Sequence, residues 1–173
     1  MTDERKNAVT FKGVPQTLLG KAVKVGDKAQ NFTVINQNLA NVEFRSTAGK
    51  IRLLSVVHSL DTGICDLQTR RFNEEAAKLG DKVEIWTISV DLPFAQKRWC
   101  GAAGIDKIKV LSDHRDLDFG QKFGAVVKEL RLLVRSVFVI DEKDVIRYVE
   151  YVPEIAQHPD YDQALQAVRT LVK

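Results

Sequence analysis

The chain is expected to fold as one α/β domain, residues 1–173, around a mixed central sheet. Three observations carry that expectation. Short apolar, β-branched runs alternate with polar-faced, helix-compatible stretches along most of the chain. Two of the runs, 51–57 and 83–90, are apolar enough for central strands covered on both faces. A strand-like pair joined by a tight turn and a last helix follow, which adds antiparallel pairing to the parallel kind.

Taken in order, residues 9–19 read as a small hairpin, Val-Thr-Phe and Gln-Thr-Leu-Leu around a Lys-Gly-Val-Pro turn. Gly26-Asp27 marks a turn. Residues 32–35 form a strand, and 42–44 alternate like another. The run 51–57 leads through a short loop into a helix from about Cys65 to Lys78, which stops near Gly80. After the strand 83–90, Pro93 opens a second helix, where a missing N–H costs nothing. That helix carries Trp99 and Cys100 and ends near Gly101 or Gly104. Residues 108–111 are a short strand, and 116–123 are helical, closed by Gly124. The strand 134–140 turns at Asp141-Glu142-Lys143-Asp144 into 145–152. A helix over 161–171 places Ala164, Leu165, Val168 and Leu171 at helical spacing.

Composition excludes several function classes. Hydrophobic residues make up 45% and charged residues 28%, which permits a full globular core. A formal charge of +3, with no basic cluster, gives no case for nucleic acid. No apolar stretch is long enough for a membrane span, and the charged start lacks a signal peptide's apolar core. The expected location is the cytoplasm. His58, His114 and His158 are scattered without metal-ligand spacing, so neither metal nor cofactor is expected.

Chemistry concentrates at Cys65. A cysteine in the first turn of a helix meets unpaired N–H groups and the positive end of the helix dipole, and both favour thiolate. A buried, inert core thiol is the competing reading, and position alone leaves the two open. Cys65 and Cys100 lie too far apart in sequence for a CxxC pair, so Cys100 is open to the same two readings. Thr62, three residues before Cys65, suits either a helix cap or a hydroxyl aimed at the sulfur.

The words of the sequence resemble those of the bacterial thiol peroxidases, a branch of the peroxiredoxins with a thioredoxin-like fold. The motifs are Ser59-Leu60-Asp61-Thr62-Gly63-Ile64-Cys65, Arg70-Arg71-Phe72-Asn73-Glu74, the run from Asp91 through Pro93 to Trp99-Cys100, and Leu111-Ser112-Asp113. The resemblance extends to the opening hairpin. It implies that Cys65 is the peroxidatic nucleophile and Cys100 the resolving cysteine, joined by an intramolecular disulfide. It implies that Thr62 and Arg135 bind peroxide and favour thiolate, and that a thioredoxin-like dithiol reduces the product. A homodimer and local unwinding around the cysteines are also implied. Arg131, four residues before Arg135, reads as a surface residue.

Two places depart from the family pattern. Gln30-Asn31 stands where many peroxiredoxins have Pro-Asp. His58 stands where the Pro-x-x-x-Thr-x-x-Cys motif has its proline. Histidine restores an N–H, frees φ, and brings a ring that can change charge near neutral pH. It is therefore a candidate active-site neighbour. Two other readings on this fold are a peroxide sensor with little turnover and a thiol–disulfide oxidoreductase; the absence of CxxC speaks against the latter.

Overall fold

The computed structural model describes residues 3–172. In its first half are β1 (Glu4–Phe11), β2 (Val14–Leu19), β3 (Thr33–Ile35), β4 (Asn41–Glu43), a 3-10 turn at Phe44–Thr47, β5 (Ile51–Val56) and α1 (Gly63–Leu79). The second half holds β6 (Val83–Ser89), α2 (Pro93–Ala103), β7 (Lys109–Ser112), α3 (Asp118–Lys122), β8 (Val126–Val127), β9 (Leu132–Leu133), β10 (Ser136–Ile140), β11 (Ile146–Tyr151) and α4 (Tyr161–Val172).

The main sheet has the order β11-β10-β5-β6-β7-β3-β4. Its centre, β5-β6-β7, is parallel, and β10 pairs antiparallel with β5. This is the expected mixed α/β, thioredoxin-like arrangement. The period-2 alternation of β5 explains its two covered faces. Ile51 and Leu53 pack with Phe72, Val137, Leu165 and Val168 beneath α1 and α4. Leu54 and Val56 point the other way, into a cluster built on Phe32, Trp86, Phe119, Phe123 and Phe138. Within it, Phe119 and Phe123 stack at 4.7 Å between centroids, and Phe32 meets Trp86 edge-on at 6.1 Å.

Some elements differ from expectation. The opening hairpin begins earlier, at Glu4, with a register irregularity between Arg5 and Val9. It belongs to a second sheet, β1-β2-β8-β9, whose last two strands have two residues each. Such short strands carry no periodicity to read. The expected helix over 116–123 narrows to α3 because Leu117 adopts a left-handed backbone, φ 51°, ψ 33°. Phe44 ends β4 by entering the 3-10 turn, with its ring stacked on Phe32 at 5.1 Å.

Two termini matter for the site. β5 gives way to the loop before α1, in which the Thr62 backbone is extended (φ −110°, ψ 147°) and Gly63 is the first helical residue. Cys65 therefore lies in the first turn of α1. At the end of α2, Gly104 takes φ 69°, ψ 33° and donates its N–H to the Cys100 carbonyl. Glycine suits that left-handed position because it has no Cβ to clash. Cys100 thus occupies the final turn of α2.

Candidate active site

Cys65 is completely buried, yet its surroundings are not those of an inert thiol. His58, just beyond β5, brings ring Nδ1 to 3.5 Å and Nε2 to 4.0 Å from the sulfur. Arg135, just before β10, is 1% exposed. Its Nε donates to the Ile155 carbonyl and its Nη1 to Gln68 Oε1, both at 2.8 Å. Gln68 is held in turn by donating to Ser55 Oγ at 2.8 Å. It lies three residues after Cys65, so one face of α1 carries both the thiol and the support for the guanidinium.

Burial is the largest single influence on the Cys65 thiol and pushes its pKa up. The His58 hydrogen bond and charge, the Arg135 charge and, least, the Thr62 hydroxyl oppose it and prevail, lowering the pKa from 9.0 to about 6. Thiolate then predominates at neutral pH, where an ordinary cysteine has only a few per cent. Thr62 occupies the N-cap position but makes no capping hydrogen bond. Its hydroxyl donates to the Ser59 carbonyl at 2.9 Å, an acceptor that competes with the sulfur for its proton. His58, Thr62 and Arg135 line one pocket of about 260 Å³, with Phe11 and Ile64 as apolar wall. A larger cleft of about 450 Å³, by Lys50, Glu84 and Lys109, lies at the other end of the sheet and is lined by no cysteine.

Cys100 has the opposite character. It is 8% exposed and shares an apolar cluster with Cys65, Val57, Leu60 and Trp99. Burial raises its pKa, only partly offset by Gln37 Nε2, which donates to the sulfur at 3.4 Å. Both cysteines are free thiols here. Trp99 ties the two helices by donating from Nε1 to Asp66 Oδ1 at 2.9 Å. Arg131 is exposed, the surface residue the sequence leads one to expect.

A redoxin family model matches residues 24–165. A thiol peroxidase of Halalkalibacterium halodurans is 60% identical over 94% of this chain and 97% of that protein. The chain belongs to the bacterial thiol peroxidases. A Bacillus subtilis thiol peroxidase is 58% identical over 95% of this chain and 98% of its own length. Among solved structures, a peroxiredoxin-like protein from Aquifex aeolicus superposes with a TM-score of 0.90 at 36% identity, covering 97% of this chain and 98% of that one. As a member of the thiol peroxidases the chain is a peroxidase. Among the described residues no helix is long and apolar enough to cross a membrane, and no group of three or more His, Cys, Asp or Glu could hold a metal ion.

Three supports for this site escaped the sequence reading. Gln68 sits on the buried face of α1, and a polar residue there is a signal that could have found it. Gln37 had no signal. Asp91 lies in a motif of the resemblance but had no role. Its carboxylate accepts from the Ser59 hydroxyl and the Leu60 N–H at 2.8 Å and from Ser89 Oγ at 2.7 Å. It thereby pins the loop before Cys65 to the entry of α2.

Proposed function

We propose that the chain reduces hydrogen peroxide and alkyl hydroperoxides through Cys65, with Cys100 as resolving cysteine and a thioredoxin-like dithiol as reductant. The observation that carries this reading is the Cys65 thiol, lowered to about 6 inside a pocket lined by Arg135, Thr62 and His58. A thiolate attacks the peroxide O–O bond, forming a sulfenic acid and releasing water or an alcohol. Arg135 lends a permanent cation and spare N–H donors for a peroxide oxygen. Thr62, whose hydroxyl both donates and accepts, orients the peroxide.

In the second half-reaction the Cys100 sulfur displaces water from the Cys65 sulfenic acid, giving a disulfide within one chain. Bridged Cα atoms lie within roughly 7 Å, so one or both helix ends unwind locally. The first turn of α1 and the last turn of α2 are where unwinding is cheapest, because terminal backbone groups lack intrahelical partners. The shared apolar cluster of the two thiols supports the pairing. Exchange with a dithiol partner then restores both thiols. We further propose a homodimer acting in the cytoplasm.

A coupled assay with thioredoxin, its reductase and peroxide tests the reading. Continuous turnover is expected from the wild type. Cys100→Ser is expected to undergo one round of oxidation, to a sulfenic acid trappable by dimedone. A single round in the wild type as well would favour a peroxide sensor. A covalent dimer as the main oxidised product would overturn the intramolecular scheme.

A further inference from the structure

We propose that His58 is a catalytic acid–base residue of the peroxide reaction, taking the proton of the Cys65 thiol and delivering it to the leaving oxygen. The inference rests on the reading of Cys65 as nucleophile and adds a residue where the family's motif has proline. The ring is 7% exposed, and both its nitrogens are within 4.0 Å of the sulfur, Nδ1 at 3.5 Å. Its edge packs on Phe11, with centroids 5.5 Å apart and planes at 80°, which fixes the ring. Among the described residues, Cys65 is the only hydrogen-bond partner of the ring nitrogens. The ring also lines the pocket shared by Thr62 and Arg135, so it faces the place where peroxide would bind as well as the thiol.

The proton balance closes without solvent. Cys65 thiol and neutral His58 become thiolate and imidazolium. The thiolate attacks the terminal oxygen of ROOH; an S–O bond forms and the O–O bond breaks. The sulfur is oxidised to sulfenic acid and the peroxide is reduced. The departing RO⁻ takes the imidazolium proton and leaves as ROH, which regenerates neutral His58.

The charged groups around the ring give this transfer its direction. They are Cys65 from α1, Arg135 from the start of β10, Lys12 from the β1–β2 turn, which lines the same pocket, and Glu154, whose carboxylate accepts from the Lys12 and Ala156 N–H groups at the pocket's edge. While the sulfur is anionic it favours imidazolium. Once attack has made it a neutral sulfenic acid, the imidazolium is left facing the buried Arg135 cation without the sulfur's negative charge. Like charge then drives its proton toward the developing alkoxide. Proline at this place has neither proton nor charge to give.

Leaving-group dependence separates this role from simple thiolate activation. The reduced full chain would be mixed by stopped flow with tert-butyl hydroperoxide, whose alkoxide needs a proton, and with peracetic acid, whose acetate does not. Each rate would be corrected for thiolate fraction using the pH profile of iodoacetamide alkylation. His58→Gln, which hydrogen-bonds without titrating, should slow the alkyl hydroperoxide about 100-fold more than the peracid, within the range of general acid catalysis. His58→Pro, the motif residue, should show the same selective loss and guards against a misfolded Gln variant. Equal slowing of both oxidants in both variants, or no slowing, would overturn the proposal. A wild type inert to both oxidants would instead bring down the nucleophile reading itself, and this inference with it.

Discussion

Two arginines are buried at opposite ends of the β5–β10 strand pair. Arg52 lies opposite Ile140 at one end, and Arg135 precedes Ser136, which pairs with Val56 at the other. Arg52 donates to the carbonyls of Thr47 at 2.9 Å and Asp141 at 3.0 Å, forms an ion pair with the Asp144 carboxylate, and covers the Phe44 ring at 4.4 Å. Among the described residues Arg135 is held by neutral acceptors, the Ile155 carbonyl and the Gln68 amide. A buried guanidinium is costly unless an opposite charge meets it. Arg52 has its carboxylate and acts as a clamp on the β10–β11 turn. Arg135 has no carboxylate bridge among the described residues, and its charge acts on Cys65 instead. What a buried cation does is decided by whether its acceptors are charged.

The largest expected effect removes the anion that Arg135 serves. Cys65→Ser should abolish peroxide consumption in the coupled assay, and retained turnover would mean that the nucleophile lies elsewhere. Next is the cation itself. Arg135→Met should slow oxidation of Cys65 by about 100-fold, the usual cost of one lost transition-state donor. It should also move the midpoint of thiol alkylation above pH 6, because a favourable charge is gone. Arg52→Met sharpens the contrast from the other side. It should cost about 3 kcal/mol of stability in urea unfolding, at the low end for a broken buried pair, since Asp144 is partly exposed. The rate per folded molecule should not change. If Arg52→Met slowed the chemistry as much as Arg135→Met, the distinction between clamp and field would fail.

A smaller effect follows from linkage. The folded-state pKa of Cys65, about 6, lies below its ordinary 9.0, so between those values the folded chain binds fewer protons than the unfolded one. The thiolate therefore contributes stability that is fully present above pH 9 and is lost as pH falls through about 6. The urea midpoint of the wild type should gain on that of Cys65→Ser as pH rises across this window. The rate of Cys65 alkylation by iodoacetamide, which needs no proton donor, should rise through about pH 6 and then level off. Smallest of all, Gln37→Leu removes the amide donor to Cys100. Disulfide formation after oxidation should slow about fivefold, the equivalent of ~1 kcal/mol for one hydrogen bond. Its first oxidation step should be untouched, which quench-flow with mass analysis would separate.

The sequence by itself determined the strand–loop–helix around Cys65, the mixed α/β sheet and the family. These depend on local pattern: apolar runs at strand length, Thr62 and Gly63 before a helical stretch, Pro93 at a helix start, and motifs contiguous in the chain. It also marked His58 as the point of departure, since a missing proline is visible in one word. It left the backbone of Leu117, the two-residue strands β8 and β9, and the partners of every buried polar group undetermined. Gln37 reaches Cys100 across 63 residues, Arg135 reaches Gln68 across 67, and Asp91 reaches Ser59 across 32. No spacing rule links such pairs. Only the tertiary structure decided that the His58 ring turns inward onto the sulfur, and that Arg135 is buried beside neutral acceptors. Both depend on where a charge finds its counter-charge once water is excluded, which is a property of the packed interior and not of any stretch of chain.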